Sequence, residues 1–100
     1  MKTKLQITKW DTSETLETEQ DVAGYLAEAF ETNDLAVVRK AMENVAKARN
    51  MTQIANEMGI SRRGLYKMFS DTGNPEFATV QKFLKAVGAK LSVRPAAVAA

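Results

Sequence analysis

Four side chains that can recognise nucleic acid follow one another at helical spacing in the middle of the chain: Arg62, Arg63, Tyr66 and Lys67. An arginine guanidinium donates two parallel hydrogen bonds to O6 and N7 of guanine in the major groove. Tyrosine and lysine contact bases or phosphate oxygens. On an arbitrary helix such residues form a solvated face. Whether they indicate DNA binding therefore depends on the secondary structure that surrounds them.

The surrounding residues 51–69 have the apolar pattern of two short helices crossing over one small core. The apolar positions are Met51, Ile54, Met58, Ile60, Leu65 and Met68. A single amphipathic helix would keep one phase, whereas this pattern breaks at 59–61 and restarts at Leu65. It predicts a helix-turn-helix, whose second helix enters the major groove of DNA.

Small and polar residues agree with this prediction. Ala55 stands where the two helices approach most closely. Gly59 is suited to the positive φ that ends a helix. Ser61 is then predicted to cap the second helix and Thr52 the first, each through its hydroxyl group.

We therefore predict that this unit reads operator DNA as a homodimer, with half-sites about 34 Å apart. Arg62, Arg63, Tyr66 and Lys67 are expected to contact bases. The expected phosphate contacts are Thr52, Gln53, Ser61 and Ser70. Lys47 and Arg49 would add longer-range attraction.

Composition excludes several other kinds of function. A length of 100 residues is that of one domain. The sequence includes no cysteine and no histidine, so we expect no metal site, no disulfide and no cofactor. A serine–lysine pair of Ser61 and Lys67 has no oxyanion hole or substrate cleft, so we do not expect an enzyme. No apolar run has membrane-spanning or signal-peptide length, and we expect a soluble, cytoplasmic protein without a membrane partner.

Charge is distributed unevenly along the chain. Residues 11–38 contain eight carboxylates and no lysine or arginine, whereas nine basic and four acidic residues follow from residue 41. The acidic part either keeps non-specific DNA away or docks a basic protein. For the second alternative, the candidate contacts are Trp10, Asp11, Glu14, Glu17, Asp21, Tyr25 and Glu28.

Three further helices are expected outside the helix-turn-helix. Thr18 and Asp21 have the spacing of a capping box and open a helix that ends near Glu31. A second helix follows Asp34 and ends near Arg49. Their predicted inward residues are Val22, Tyr25, Leu26, Ala29 and Phe30 in the first helix, and Leu35, Val38, Met42, Val45 and Ala46 in the second.

The last predicted helix follows a turn at 71–75, with Asn74 as its N-cap, and stops at Gly88. Its expected inward residues are Phe77, Val80, Phe83, Leu84 and Val87. Residues 5–10 and 90–94 alternate as short terminal strands do. A strand at 90–94 has two candidate partners, residues 5–8 and a second copy of the chain.

The predicted fold is therefore all-α, a compact bundle of about five helices with short terminal strands as a further element. An N-terminal arm at 1–17 precedes the helical domain at 18–94, and a flexible tail at 95–100 follows it.

Residues 45–93 resemble the addiction-module antidote family, the antitoxins of type II toxin–antitoxin pairs whose toxins belong to the RelE superfamily. The matching phrases are Val45-Ala46-Lys47-Ala48-Arg49, Thr52-Gln53-Ile54-Ala55, Gly59-Ile60-Ser61-Arg62, Leu65-Tyr66 and Gly73-Asn74-Pro75-Glu76-Phe77-Ala78-Thr79. The last phrase is the most distinctive, because helix-turn-helix proteins in general do not need it. Tyr25-Leu26-Ala27-Glu28-Ala29-Phe30 also resembles the first helix of the family.

The resemblance implies a lambda-repressor-like helix-turn-helix protein that neutralises a ribosome-dependent RNA endonuclease toxin and represses its own operon. The alternative is a free-standing transcription regulator without a toxin partner. A small basic reading frame beside the gene would distinguish the two.

Overall fold

The computed structural model describes residues 16–96, which form five helices and no strand. These are α1 (Glu19–Glu31), α2 (Leu35–Arg49), α3 (Met51–Met58), α4 (Arg62–Phe69) and α5 (Phe77–Ala86). The all-helical prediction is thus confirmed for the described part of the chain. The expected strand at 5–10 and residues 97–100 of the expected tail lie outside the described residues.

The capping box predicted for α1 is present. The Thr18 hydroxyl accepts a hydrogen bond from the Asp21 backbone N–H at 3.0 Å, and the Asp21 carboxylate accepts one from the Thr18 N–H at 3.1 Å. Two N–H groups at the helix start are therefore satisfied by side chains. The helix buries Val22, Leu26 and Ala29 and packs on α2.

Helix α2 is the central element, because it contacts α1, α3 and α4. The Asp34 carboxylate caps it by accepting from the Ala36 N–H at 3.0 Å. Met42, Val45 and Ala46 have no exposed surface, as expected for a helix with neighbours on several sides. Leu35 was expected to point inward, but this is wrong: it is 46% exposed, at the first position of the helix.

Helices α3 and α4 are joined by residues 59–61, as predicted. Gly59 has φ +75° and ends α3 in the left-handed conformation, and the Ser61 hydroxyl caps α4 by accepting from the Gly64 N–H at 2.9 Å. The prediction that Thr52 caps α3 is wrong. Asn50 is the cap, and its side-chain oxygen accepts from the Gln53 N–H at 3.0 Å. Thr52 is the second residue of α3 and therefore lies inside the helix rather than at its N-cap position.

The turn before α5 brings backbone close to backbone. A Cβ atom on Gly73 would lie against the carbonyl oxygen of Met68 and 2.7 Å from that of Lys67, which leaves space only for glycine. Helix α5 begins after Glu76, which makes no side-chain capping bond, so the prediction of Asn74 as N-cap is wrong.

Helix α5 packs on α3 and contributes Phe83 and Leu84 to the core. Phe83 is fully buried and meets Phe69 of α4 edge to face, with ring centroids 6.0 Å apart. Phe77 is 65% exposed, so its expected inward position is wrong. The expected strand at 90–94 is absent as well, because those residues have no regular secondary structure.

Candidate nucleic-acid interface

Helix α4 separates an apolar face from a polar one. Leu65 has no exposed surface, and Met68 and Phe69 are each 7% exposed. The residues on the other face are all exposed: Arg62, Arg63, Tyr66 and Lys67. The structure therefore brings the four predicted base-contacting side chains onto one surface.

Arg62 is held by contacts to both α3 and α4. Its Nη1 donates to the Thr52 hydroxyl oxygen at 3.2 Å, and its Nη2 donates to the Tyr66 hydroxyl oxygen at 3.5 Å. The guanidinium carbon lies 5.7 Å from the centroid of the Tyr66 ring, within the range of a cation–π contact. The three side chains form a cluster, called here the Arg62 cluster.

A shallow depression lies beside this cluster, between the end of α2 and the starts of α3 and α4. Its lining residues are Lys47, Asn50, Met51, Thr52, Arg62 and Tyr66. The lining carries two cationic side chains and no carboxylate. The depression therefore offers a positively charged, polar surface at the edge of α4.

The other predicted phosphate contacts also have structural roles. The Gln53 amide nitrogen donates to Glu57 at 3.5 Å. The Ser61 hydroxyl oxygen caps α4, as described above. The Ser70 hydroxyl donates to the Lys67 carbonyl at 2.8 Å, so its proton is engaged at the end of α4. Ser61 and Ser70 therefore lie at opposite ends of α4, not beside each other.

Of the residues predicted to dock a basic protein, four are described by the structure, and these lie on α1 or just before it. Trp10, Asp11 and Glu14 lie outside the described residues. Glu17 is exposed, while the Asp21 carboxylate is occupied at the start of α1 by the N–H groups of Glu17 and Thr18. Glu28 is half-exposed on α1.

Tyr25 was expected both to point inward and to contact a basic protein, and its burial confirms the first expectation and contradicts the second. Only 8% of the residue is exposed, and its hydroxyl accepts a hydrogen bond from Asn44 of α2 at 2.8 Å. Its ring is buried where α1 packs on α2. The phenolic oxygen is satisfied there, as is usual for a buried tyrosine.

Sequence reasoning missed two residues that shape this region. Asn50 caps α3, lines the depression and has φ +123°. Its residue type was a usable signal, since asparagine is among the preferred N-caps and tolerates positive φ. Arg39 on α2 anchors the turn after α4 by donating to the Gly73 carbonyl, and no local pattern indicates this long-range contact.

No helix between residues 16 and 96 is both long enough and apolar enough to cross a membrane.

Comparison with known proteins identifies the family of this chain and a relative. A family model described as "Probable addiction module antidote protein" matches residues 6–95. A Haemophilus influenzae protein, named "Uncharacterized protein", is 43% identical over 89 residues, which are 89% of this chain and 92% of the relative. No solved structure matches the chain.

Proposed function

Since the chain belongs to the probable addiction module antidote family, we propose that it is an antitoxin with two binding activities. One activity neutralises a protein toxin of the RelE superfamily, an enzyme that cleaves messenger RNA. The other represses the operon that encodes both proteins. The antitoxin acts by binding alone, in the cytoplasm, without catalysis or a cofactor.

The match over residues 6–95 is the observation that carries the antitoxin function. An antidote implies a toxin, so a protein partner follows from the family description. The assignment of that toxin to the RelE superfamily is supported by the phrases at 45–49 and 73–79.

The polar face of α4 supports the DNA-binding activity. Helices α3 and α4 form the proposed lambda-repressor-like helix-turn-helix, and α4 lies in the major groove. Arg62 and Arg63 are near the N-terminus of α4 and contact guanine edges, while Tyr66 and Lys67 contact bases or phosphates further along. The protein binds its operator as a homodimer, and each copy occupies one half-site.

The acidic part of the chain supports the toxin-binding activity. Residues 17–31, which comprise α1, its cap and the residue before the cap, contain five carboxylates and no basic residue. Opposite charge on a partner accelerates association and selects against wrong partners. We assign the toxin contact to this surface and the operator contact to α4, so that the two activities use different helices.

One experiment tests both activities. The tagged chain is co-expressed with the product of any small basic reading frame that lies beside its gene. The purified material is then titrated onto a duplex that contains the DNA upstream of the operon. The proposal expects a stable complex of the two proteins and sequence-specific binding of the duplex. DNA binding without co-purification would instead identify a free-standing regulator, and an absence of both would overturn the proposal.

A further inference from the structure

Thr52 was expected to contact a phosphate, but its position suggests another role. Its hydroxyl oxygen lies 3.2 Å from Nη1 of Arg62, so the hydroxyl already accepts a hydrogen bond from the first residue of α4. Thr52 belongs to α3 and Arg62 to α4. This contact therefore joins the two helices at the polar surface rather than in the core.

We propose that Thr52 is a positioning residue, which fixes the Arg62 guanidinium for base recognition and so determines specificity at one base pair. The inference rests on the proposed DNA-binding activity. A phosphate contact from Thr52 would strengthen binding of every sequence alike. The proposed role instead acts through Arg62 and affects one base pair. Tyr66 supports the same guanidinium from the other side, through its hydroxyl and its ring.

The number of N–H donors on the guanidinium is sufficient for it to bind a base as well. A guanidinium has five N–H donors, of which one on Nη1 and one on Nη2 are used within the Arg62 cluster. Each terminal nitrogen keeps one further N–H, and Nε keeps its own. Two parallel hydrogen bonds to guanine O6 and N7 need only two of these three donors.

Fixing the side chain matters because arginine has many rotamers and Arg62 is exposed. A free arginine loses rotamer freedom when it binds, and this loss opposes binding. Contacts from Thr52 and Tyr66 restrict the rotamers before DNA arrives. The arginine therefore discriminates more strongly between the correct and the incorrect base pair.

The test uses full-length protein and the duplex upstream of its operon. Single base-pair substitutions first identify the position at which Arg62→Ala loses discrimination. Thr52→Val removes the hydroxyl and keeps the β-branched shape. We expect it to reduce discrimination at that same position by about two- to tenfold, the effect of one net hydrogen bond, and to leave affinity for the substituted duplex unchanged. Thr52→Ser, which keeps the hydroxyl, should retain discrimination.

A double-mutant cycle separates positioning from a direct phosphate contact. If Thr52 acts through Arg62, then Thr52→Val should have no effect in the Arg62→Ala background. A phosphate contact would instead weaken binding of every duplex equally, in both backgrounds, and that result would overturn the proposal. Thr79→Val on α5 serves as a matched control for the threonine-to-valine change.

A second measurement reports on the cluster without DNA. Nuclear magnetic resonance relaxation of the Arg62 Nε–H group should show a more ordered side chain in the wild type than in Thr52→Val. Equal order in both proteins would overturn the positioning role. If wild-type protein binds no duplex, both the proposed function and this role for Thr52 fail. If it binds specifically and Thr52→Val does not affect the Arg62 position, only the role of Thr52 fails.

Discussion

Arg39 of α2 donates a hydrogen bond from Nη1 to the carbonyl oxygen of Gly73, 3.0 Å away and 34 residues further along the chain. The bond connects the central helix to the turn that follows α4. It is partly buried, so its strength is less reduced by water than that of a surface contact. It therefore helps to fix the C-terminal end of α4 on the helical core.

Replacing Arg39 should destabilise the protein. Arg39→Met keeps most of the aliphatic stem and removes the donor, which leaves the Gly73 carbonyl without this partner. We expect a loss of about 1–2 kcal/mol in the free energy of unfolding by urea. Lys40→Met is the control, because Lys40 is exposed and forms only a surface ion pair with Glu43 at 3.7 Å. Equal losses in the two variants would show that the bond to Gly73 contributes nothing specific.

Position 73 requires glycine because neighbouring backbone atoms leave no room for a Cβ atom. In Gly73→Ala, the new Cβ would collide with the Met68 and Lys67 carbonyls, which belong to rigid helix backbone. We expect a loss of about 2 kcal/mol or more in thermal or urea unfolding. Gly24→Ala in α1 should have the opposite sign, with a gain of about 0.5–1 kcal/mol, because no atom lies within 4 Å of its Cβ. A neutral Gly73→Ala would mean that the turn can move aside.

Position 50 should tolerate only residues that keep the capping hydrogen bond to the Gln53 N–H or that adopt a positive φ without strain. Asn50→Asp retains an oxygen acceptor for the Gln53 N–H, so it should stay near the stability of the wild type. Asn50→Ala loses the cap and retains the positive φ, for a combined loss of about 2 kcal/mol. Asn50→Gly should fall between them, because glycine accepts positive φ. If alanine is better tolerated than glycine in urea unfolding, the backbone strain is not significant.

Removing both arginines at the start of α4 should abolish operator preference. We expect Arg62→Ala with Arg63→Ala to lose about 1–3 kcal/mol of binding free energy per arginine, together with discrimination at the contacted base pairs. A charge-matched control is Lys82→Ala with Lys85→Ala on α5, which should weaken all duplexes slightly and alike. Fluorescence anisotropy on native and substituted duplexes measures both effects. Wild-type discrimination in the arginine variant would refute the assignment of α4 as the reading helix.

Charge on α1 should affect the rate of toxin binding more than its final strength. Glu17→Gln with Glu19→Gln removes two exposed carboxylates, so we expect slower association with the basic partner and a weaker dependence of that rate on salt. Stopped-flow or surface measurements of the association rate provide the readout. Glu57→Gln with Glu76→Gln, away from α1, is the matched pair. Equal effects from the two pairs would argue for net charge rather than a local surface.

Sequence was sufficient for the elements whose signals are local. Gly59 and Ser61 lie within a few residues of the helices they end and begin, so the boundary between α3 and α4 could be predicted from residue type alone. The capping box at Thr18 and Asp21 is similarly local. Periodicity also identified Val38, Met42, Val45 and Ala46 as buried residues of α2, although it missed Ala41.

The sequence was insufficient where two residues were candidates for the same helix cap, or where an element needs a second element to pack against or pair with. Thr52 and Asn50 are both of residue types that cap helices and stand two residues apart, so residue type alone does not decide between them. Leu35 and Phe77 fit the helical period, but each is the first residue of its helix and lies beyond the reach of the core. Residues 90–94 alternate correctly, yet a strand also requires a neighbouring strand to pair with.

The contacts of the Arg62 cluster were also beyond prediction from periodicity. The pattern placed Thr52 and Arg62 on the same polar surface, but a distance between side chains of different helices depends on the crossing of those helices. Residue type suggested phosphate binding for Thr52, whereas the observed neighbour is a guanidinium.

The junction at Asn50 has a consequence for how this chain can vary in length. One residue ends α2 and starts α3, with its N–H bonded to Ala46 and its side chain to the Gln53 N–H. No spare loop exists there to accommodate an added or missing residue. An insertion or deletion at 49–51 would have to break one of the two caps or shift Ile54 out of the core. Related proteins should therefore align without gaps across this point.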